Sequence, residues 1–316
     1  MSVADFWEPF EVQIGSFDEL VKALNEVMEK ATVKNIQFAW RGLVDYRWAL
    51  HSSLYRRLCL TRSGTLPEPD LAGEERSILD KLYRWGLHSP PVTGRLSILN
   101  QLAMLQHYGA PTRLVDISFN AWVGVRFAVE EKWSNGEQVL EDIDCRLFAV
   151  DVTGRLINDD GTFRSWEDHL TRPWLEDPPF GVLPQDWTSS VHAWKPSSLD
   201  SRIFAQNGGF LFGGVPATIT SITSKRFQFP KTPNYRDGWW TIEEGRKACC
   251  LALRPHVFSP SGGGLDTGAL YTFRIAARAK KDIRDRLEKM FGYTHATIYP
   301  DYTGFAQFGT PNLKTT

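Results

Sequence analysis

The chain has 316 residues, 42% of them hydrophobic and 23% charged, which is ordinary globular usage and long for one domain but within reach of a single mixed α/β domain carrying insertions. Thirty-six lysines and arginines against 37 acidic residues leave a net charge of −1, so no bulk field draws in nucleic acid or an anionic membrane, and a polyanion would have to meet a local patch. The first twenty residues lack a basic and apolar leader, no stretch reaches the roughly 18 apolar residues of a membrane span, and Cys59, Cys145, Cys249 and Cys250 lack metal-type spacing; a cytoplasmic protein with free thiols and no bound metal is expected.

The first element predicted is a helix over Ser16 to Lys30, with Ser16 as N-cap, Glu19 three positions on, and Leu20, Leu24 and Val27 along one face. In Asn35 to Trp40, residues Ile36, Phe38 and Trp40 alternate at the strand period and deliver Arg41 and Gly42 at the strand's end. A basic stretch, His51 to Gly64, leads to a break at Pro67 and Pro69, then to helices over Glu74 to Trp85 and Leu96 to Tyr108, the second stopped by Gly109 and Pro111. A helix over Ala121 to Glu131 and a strand over Arg146 to Asp151 follow.

From 154 to 199 the chain is rich in Trp, Pro, Asp and Gly, which reads as a long ordered insertion, since its aromatic content argues against disorder. Short strands are predicted at Arg202 to Ala205, Phe210 to Phe212 and Ala269 to Ile275, with Ser261 to Gly264 as a flexible connection. The last helix, Lys280 to Phe291, is expected to turn Ile283, Leu287 and Met290 inward and to end at Gly292.

Three blocks stand out: FAWRGLVDYRWALHSSLYRR (Phe38 to Arg57), LNQLAMLQHYGAPTRLVDISFNAWVGVRFAVE (Leu99 to Glu130), and a split block of SRIFAQNGGFLF (Ser201 to Phe212) and THATIYPDYTGFAQF (Thr294 to Phe308). Together they resemble the FRG-domain family. The resemblance implies one domain over 1–316, with an N-terminal helical part to about residue 35 and the insertion at about 154–199.

Read physically, Arg41 at a strand end offers a planar fork suited to phosphate or carboxylate, and Gly42 lets a flat ligand approach the backbone. That pair is similar to the first motif of ADP-ribosyltransferases. Pro111 to Ser118 with the following helix resembles their Ser-Thr-Ser strand, and Arg202 to Gln206 resembles the strand that carries their catalytic glutamate. What the resemblance implies is an α/β fold with an ADP-ribosyltransferase-like split β-sheet core and surrounding helices, using NAD as donor or hydrolysing it. The further partners implied are a protein, RNA or DNA acceptor, a neutralising or regulatory protein, and no membrane, in a bacterial toxin or phage-defence effector.

The candidate catalytic residues are Arg41, His107, Asp116 and Gln206, and the candidate cofactor-binding residues are Trp40, Arg41, Gly42, Thr112, Arg113 and Phe210. Arg41 would bind a phosphate or ribose, the Gly42 backbone the carboxamide, and Asp116 or Gln206 the reacting ribose. No Glu-x-Glu motif is present, so Asp116, Asp200, Gln206 or Asp301 would have to stabilise an oxocarbenium-like transition state. Other readings stay open: Arg41 paired structurally with Asp45 or Asp116, His107 as a helix-end residue, a nuclease pair of His107 and Asp116, and a nucleic-acid-binding patch of Arg47, Arg56, Arg57 and Arg62 interleaved with Trp48 and Tyr55.

Overall fold

The computed structural model describes residues 1–91, 94, 96–157, 187–196, 201–217, 227–258 and 269–313. Its strands are β1 (Glu11–Ile14), β2 (Phe38–Leu43), β3 (Val115–Ser118), β4 (Lys132–Ser134), β5 (Glu137–Val139), β6 (Cys145–Asp151), β7 (His192–Trp194), β8 (Gly208–Phe212), β9 (Phe229–Pro230), β10 (Trp239–Trp240), β11 (Arg254–Pro255) and β12 (Ala269–Ile275). The helices that position the site are α1 (Val3–Trp7), α2 (Phe17–Lys34), α3 (Ser53–Arg62), α4 (Glu68–Arg84), α5 (Ile98–His107), α6 (Ala121–Ala128), α7 (Ser201–Ala205), α8 (Ile242–Ala248), α9 (Ala277–Phe291) and α10 (His295–Ile298). No helix among the described residues is long and apolar enough to cross a membrane.

Eight strands form one open mixed sheet in the order β1-β12-β6-β2-β3-β8-β7, with β11 also beside β12. The β1 and β12 strands run parallel, while β12, β6, β2, β3, β8 and β7 alternate antiparallel. The join in the middle is the weak one. Strand β2 pairs with β6 along six residues, Phe38 to Leu43, yet meets β3 at the single pair Trp40 and Ser118. Beyond that pair the two halves of the sheet diverge, and a cleft opens between them.

Period-two alternation sends the two faces of β2 to different cores. Phe38 and Trp40 join Leu20, Leu24, Val125, Ala128, Ile283 and Leu287 beneath α2, α6 and α9. Ala39 and Leu43 join Phe6, Trp7, Leu54, Tyr55 and Phe148 on the other face, under α1 and α3. A third cluster, with Leu79 of α4, Leu99 and Leu102 of α5, Trp187, Trp194, Phe210 and Phe212, holds α5 against β8 and β7.

Gly42 serves this packing. A Cβ there would lie 2.2 Å from the Gly124 carbonyl oxygen and 2.4 Å from the Ala128 nitrogen, so α6 seats directly on the β2 backbone. Gly42→Ala is therefore expected to force α6 outward and to destabilise by about 1–3 kcal/mol. A urea midpoint equal to wild type would show that α6 yields without strain.

Several predicted boundaries shift for identifiable reasons. The helix predicted at Ser16 to Lys30 runs to Lys34 and ends on Asn35 in the left-handed conformation, so the next strand starts at Phe38 and not at Asn35. The Ser16 hydroxyl does accept from Glu19 N–H, but Glu19 turns back to accept from Gly15 N–H at 2.6 Å, and the reciprocal half of the cap is not made. Pro67 and Pro69 do not break the chain: Pro67 is the N-cap of α4 and Pro69 lies in its first turn, where a missing N–H does no harm, so this helix begins at Glu68 instead of Glu74.

Arg202 to Ala205, predicted as a strand, lies within helix α7, because a five-residue run with three adjacent apolar positions fits either period; β8 begins at Gly208. Met290, predicted inward, is 64% exposed while Ile283 and Leu287 are buried. The described end of the predicted insertion supplies β7 and the buried Trp187 and Trp194; residues 158–186 and 197–200, and the Ser261 to Gly264 connection, lie outside the described residues.

Candidate functional site

The cleft between β2 and β3 has a volume of about 750 Å³. Arg41 from β2 reaches across it, Nη1 donating to the Asp116 carbonyl at 3.1 Å with the Asp116 carboxylate at 3.5 Å. Asp116 is held from behind. Gln106, in the last turn of α5, donates from Nε2 to Asp116 Oδ1 at 2.6 Å, and the Thr112 hydroxyl donates to Gln106 Oε1. Thr112 is itself fixed by Ser53 at the start of α3, whose hydroxyl accepts from Thr112 N–H at 3.0 Å.

Asp116 thus has a braced carboxylate whose side chain is still 55% exposed. An ion pair reaching solvent in this way contributes roughly 0–1 kcal/mol, so an incoming phosphate can replace it at small loss. Arg41 Nε is buried and has no hydrogen-bond partner among the described residues.

The opposite wall comes from residues beyond 200. Gln206 follows α7, its backbone carbonyl accepting from Ser118 Oγ at 2.7 Å and its Nε2 donating to the Ile298 carbonyl at 3.0 Å. Arg202 forms a two-pronged pair with Asp301, both contacts at 2.7 Å, which holds the Asp301 carboxyl below the usual range. The Arg202 guanidinium lies 5.1 Å from the ring centre of Tyr299. The Tyr299 hydroxyl donates to Glu130 Oε1 at 2.6 Å, and Lys132 pairs with the other Glu130 oxygen. Burial, then the Glu130 charge, pushes the Tyr299 phenol far above the ordinary tyrosine value, so it remains a donor and Glu130 its acceptor.

Two histidines line the cleft. His107 ends α5, its ring edge-on to Tyr108 at 4.8 Å. His51 Nε2 bonds the Arg246 carbonyl at 2.7 Å, and burial pushes its pKa down to about 4. His192, in β7 beside β8, is likewise pushed down to about 4 by burial. Both are neutral in the fold but take a proton near 6.5 once unfolded, so their contribution is complete above pH 6.5 and is lost as pH falls from there to about 4. Each should remove up to about 1.4 kcal/mol of stability per pH unit in that window. Urea midpoints measured from pH 7 to 4.5 should fall, with a shallower slope in His192→Gln; a flat profile would contradict rings that stay neutral in the fold.

Arg41, Gly42, His107, Asp116, Gln206 and Phe210 all line this one cleft. Trp40 does not. It lies on the other face of β2, buried against α6, because adjacent strand residues point in opposite directions. Gly42 exposes backbone to the cleft, but the space its side chain would fill is taken by α6 rather than by a ligand. Thr112 is fully buried and acts on the site only through Gln106.

Arg113 is a core residue, 1% exposed, donating to Glu75 at 2.7 Å, to Glu68 at 3.0 Å and to the Gly213 carbonyl at 3.2 Å. Asp45 pairs with Arg47 rather than Arg41. Asp301 is engaged by Arg202, and Asp200 lies outside the described residues. No group of three or more His, Cys, Asp or Glu among the described residues is placed to hold a metal ion. The residue that sequence reasoning missed is Glu130, only 4% exposed; its signal was an acid directly after the run Ala121 to Val129, which is apolar but for Arg126.

Residues 36–137 match the family model of the FRG domain. Neither a curated protein nor a solved structure matches the chain. The matched segment supplies Arg41, Gln106, His107, Asp116, Glu130 and Lys132, one wall of the cleft, while Arg202, Gln206 and Tyr299 come from beyond it. The chain therefore carries an FRG domain, matched over residues 36–137.

Proposed function

We propose that the cleft binds an NAD-type dinucleotide and that the protein transfers or hydrolyses its ADP-ribose. The observation that carries this reading is the opening of the sheet beside Trp40 and Ser118, which sets the Arg41 fork and the carboxylates of Asp116 and Glu130 around one hollow. Its volume of about 750 Å³ is in the range of cofactor sites. NAD supplies a nicotinamide leaving group on a ribose carbon. As that bond breaks, positive charge develops at the ribose, and a fixed carboxylate nearby is worth more there than in the ground state.

Arg41 is assigned to phosphate or ribose hydroxyls, and Asp116, oriented by Gln106, to the reacting ribose. Glu130, fixed between Tyr299 and Lys132, is a second negative charge on the cleft wall. Such an activity would deplete or modify its host's components, in keeping with the growth-arresting role that the family resemblance implies.

The reading is tested by calorimetric titration with NAD. Arg41→Ala should weaken binding about tenfold to hundredfold, the loss of a charge-assisted fork of about 1.5–3 kcal/mol. Its urea midpoint should stay close to wild type, because the Arg41–Asp116 pair is partly solvated. Arg41→Lys should recover little, lacking two parallel donors. An Arg41→Ala protein that cannot fold would assign Arg41 to the scaffold instead.

A further inference from the structure

We infer that the acceptor of the transferred ADP-ribose is a single-stranded nucleic acid, which leaves the cleft over Trp48 and Arg56 and continues to Lys247. This rests on the reading of the cleft given above and names the second substrate. Charge pairing within the cleft is the starting point. Arg41 is matched by Asp116, Arg47 by Asp45, Lys132 by Glu130 and Arg202 by Asp301. Arg56 and Lys247 are both exposed, and neither has an ion pair or side-chain hydrogen bond among the described residues.

Those two cations border a second hollow of about 280 Å³, which shares His51 and Arg56 with the main cleft, so the two run together. Among the described residues no carboxylate lines the second hollow; the others that do are Cys59, Leu60, Gly64 and Thr65. Trp48 lines the main cleft and is 43% exposed. His51, where the hollows join, is kept neutral by burial.

An exposed indole lining the same cleft as one uncompensated cation, with a second such cation in the adjoining hollow, is the arrangement that single strands use, with bases stacking on the ring and phosphates following the charges. An acidic peptide would use the cations but gives no reason for the exposed ring. In the transfer, the ribose–nicotinamide bond breaks and its electron pair leaves on nicotinamide. A ring nitrogen or hydroxyl oxygen of the nucleic acid supplies the pair for the new bond to the same carbon, and its proton passes to a cleft carboxylate, Asp116 being the exposed one, and on to solvent.

The test uses the full chain and 5′-labelled mixed-sequence RNA and DNA strands of roughly 12 nucleotides, a length within typical single-strand sites. Fluorescence anisotropy should show binding whose logarithm falls linearly with the logarithm of salt concentration. Lys247→Glu should weaken it severalfold and lower the salt slope by about one, and Trp48→Ala should weaken it about tenfold. Nicotinamide release from NAD without acceptor should be unchanged in Lys247→Glu, since Lys247 borders only the second hollow.

With NAD present, mass spectrometry should find ADP-ribose on the oligonucleotide. The inference is overturned if no strand binds, if Lys247→Glu binds with wild-type affinity and slope, or if NAD is cleaved and the label appears only on protein. Strand binding that depends on Lys247 without any NAD cleavage would instead sink the ADP-ribose reading and leave the nucleic-acid groove standing.

Discussion

Replacing Arg113 by methionine is expected to destabilise the protein by about 3–5 kcal/mol, the usual result of removing one partner from a buried ion cluster. The guanidinium sits between Glu75 and Glu68, both buried. Glu68 also accepts from Trp187 Nε1 at 3.0 Å and from Val215 N–H at 2.7 Å, so one arginine ties α4 to the strand that carries Asp116 and to the chain following β8. Methionine keeps much of the volume and removes the charge, which leaves two carboxylates in the core that must be protonated or exposed. A urea midpoint lowered accordingly, with NAD affinity retained in the molecules still folded, is the expected outcome. An unchanged midpoint with lost affinity would make Arg113 a ligand-binding residue after all.

The largest effect on activity is expected from the carboxylates. Asp116→Asn and Glu130→Gln each keep the cleft's shape and remove one negative charge. Because that charge acts mainly as the ribose becomes cationic, nicotinamide release should slow about a hundredfold or more, typical of losing one preorganised electrostatic group, while NAD affinity stays within a few-fold. Equal losses of affinity and turnover would mean that these groups bind the ground state. Full activity in both variants would make Asp116 and Glu130 structural.

The parts of the fold legible in the sequence are those fixed by local pattern. The apolar faces of α2 and α6, the run Arg146 to Asp151 in β6 and the Phe38–Trp40 alternation in β2 each state their burial within one element. The same alternation already implies that Trp40 and Arg41 cannot serve one ligand, since neighbours in a strand face apart. Arg113 and Asp116 lie three residues apart, yet Arg113 enters the core and Asp116 the cleft. What separates them is Glu68 and Glu75 on α4, 45 and 38 residues upstream, which no local pattern reveals. Glu130 was equally opaque, because its environment is made by Tyr299, 169 residues away. The cleft itself depends on where two strands stop pairing, a property of the whole sheet rather than of either segment.

The most direct measurement is nicotinamide released from NAD by the purified wild-type protein, with Arg41→Ala run beside it. Release of many equivalents per protein molecule, alone or on addition of a protein, RNA or DNA acceptor, and its loss in Arg41→Ala, is the predicted result. No release with any acceptor, from a protein that binds oligonucleotides with a steep salt dependence, would contradict it and make the cleft a phosphate-recognition surface.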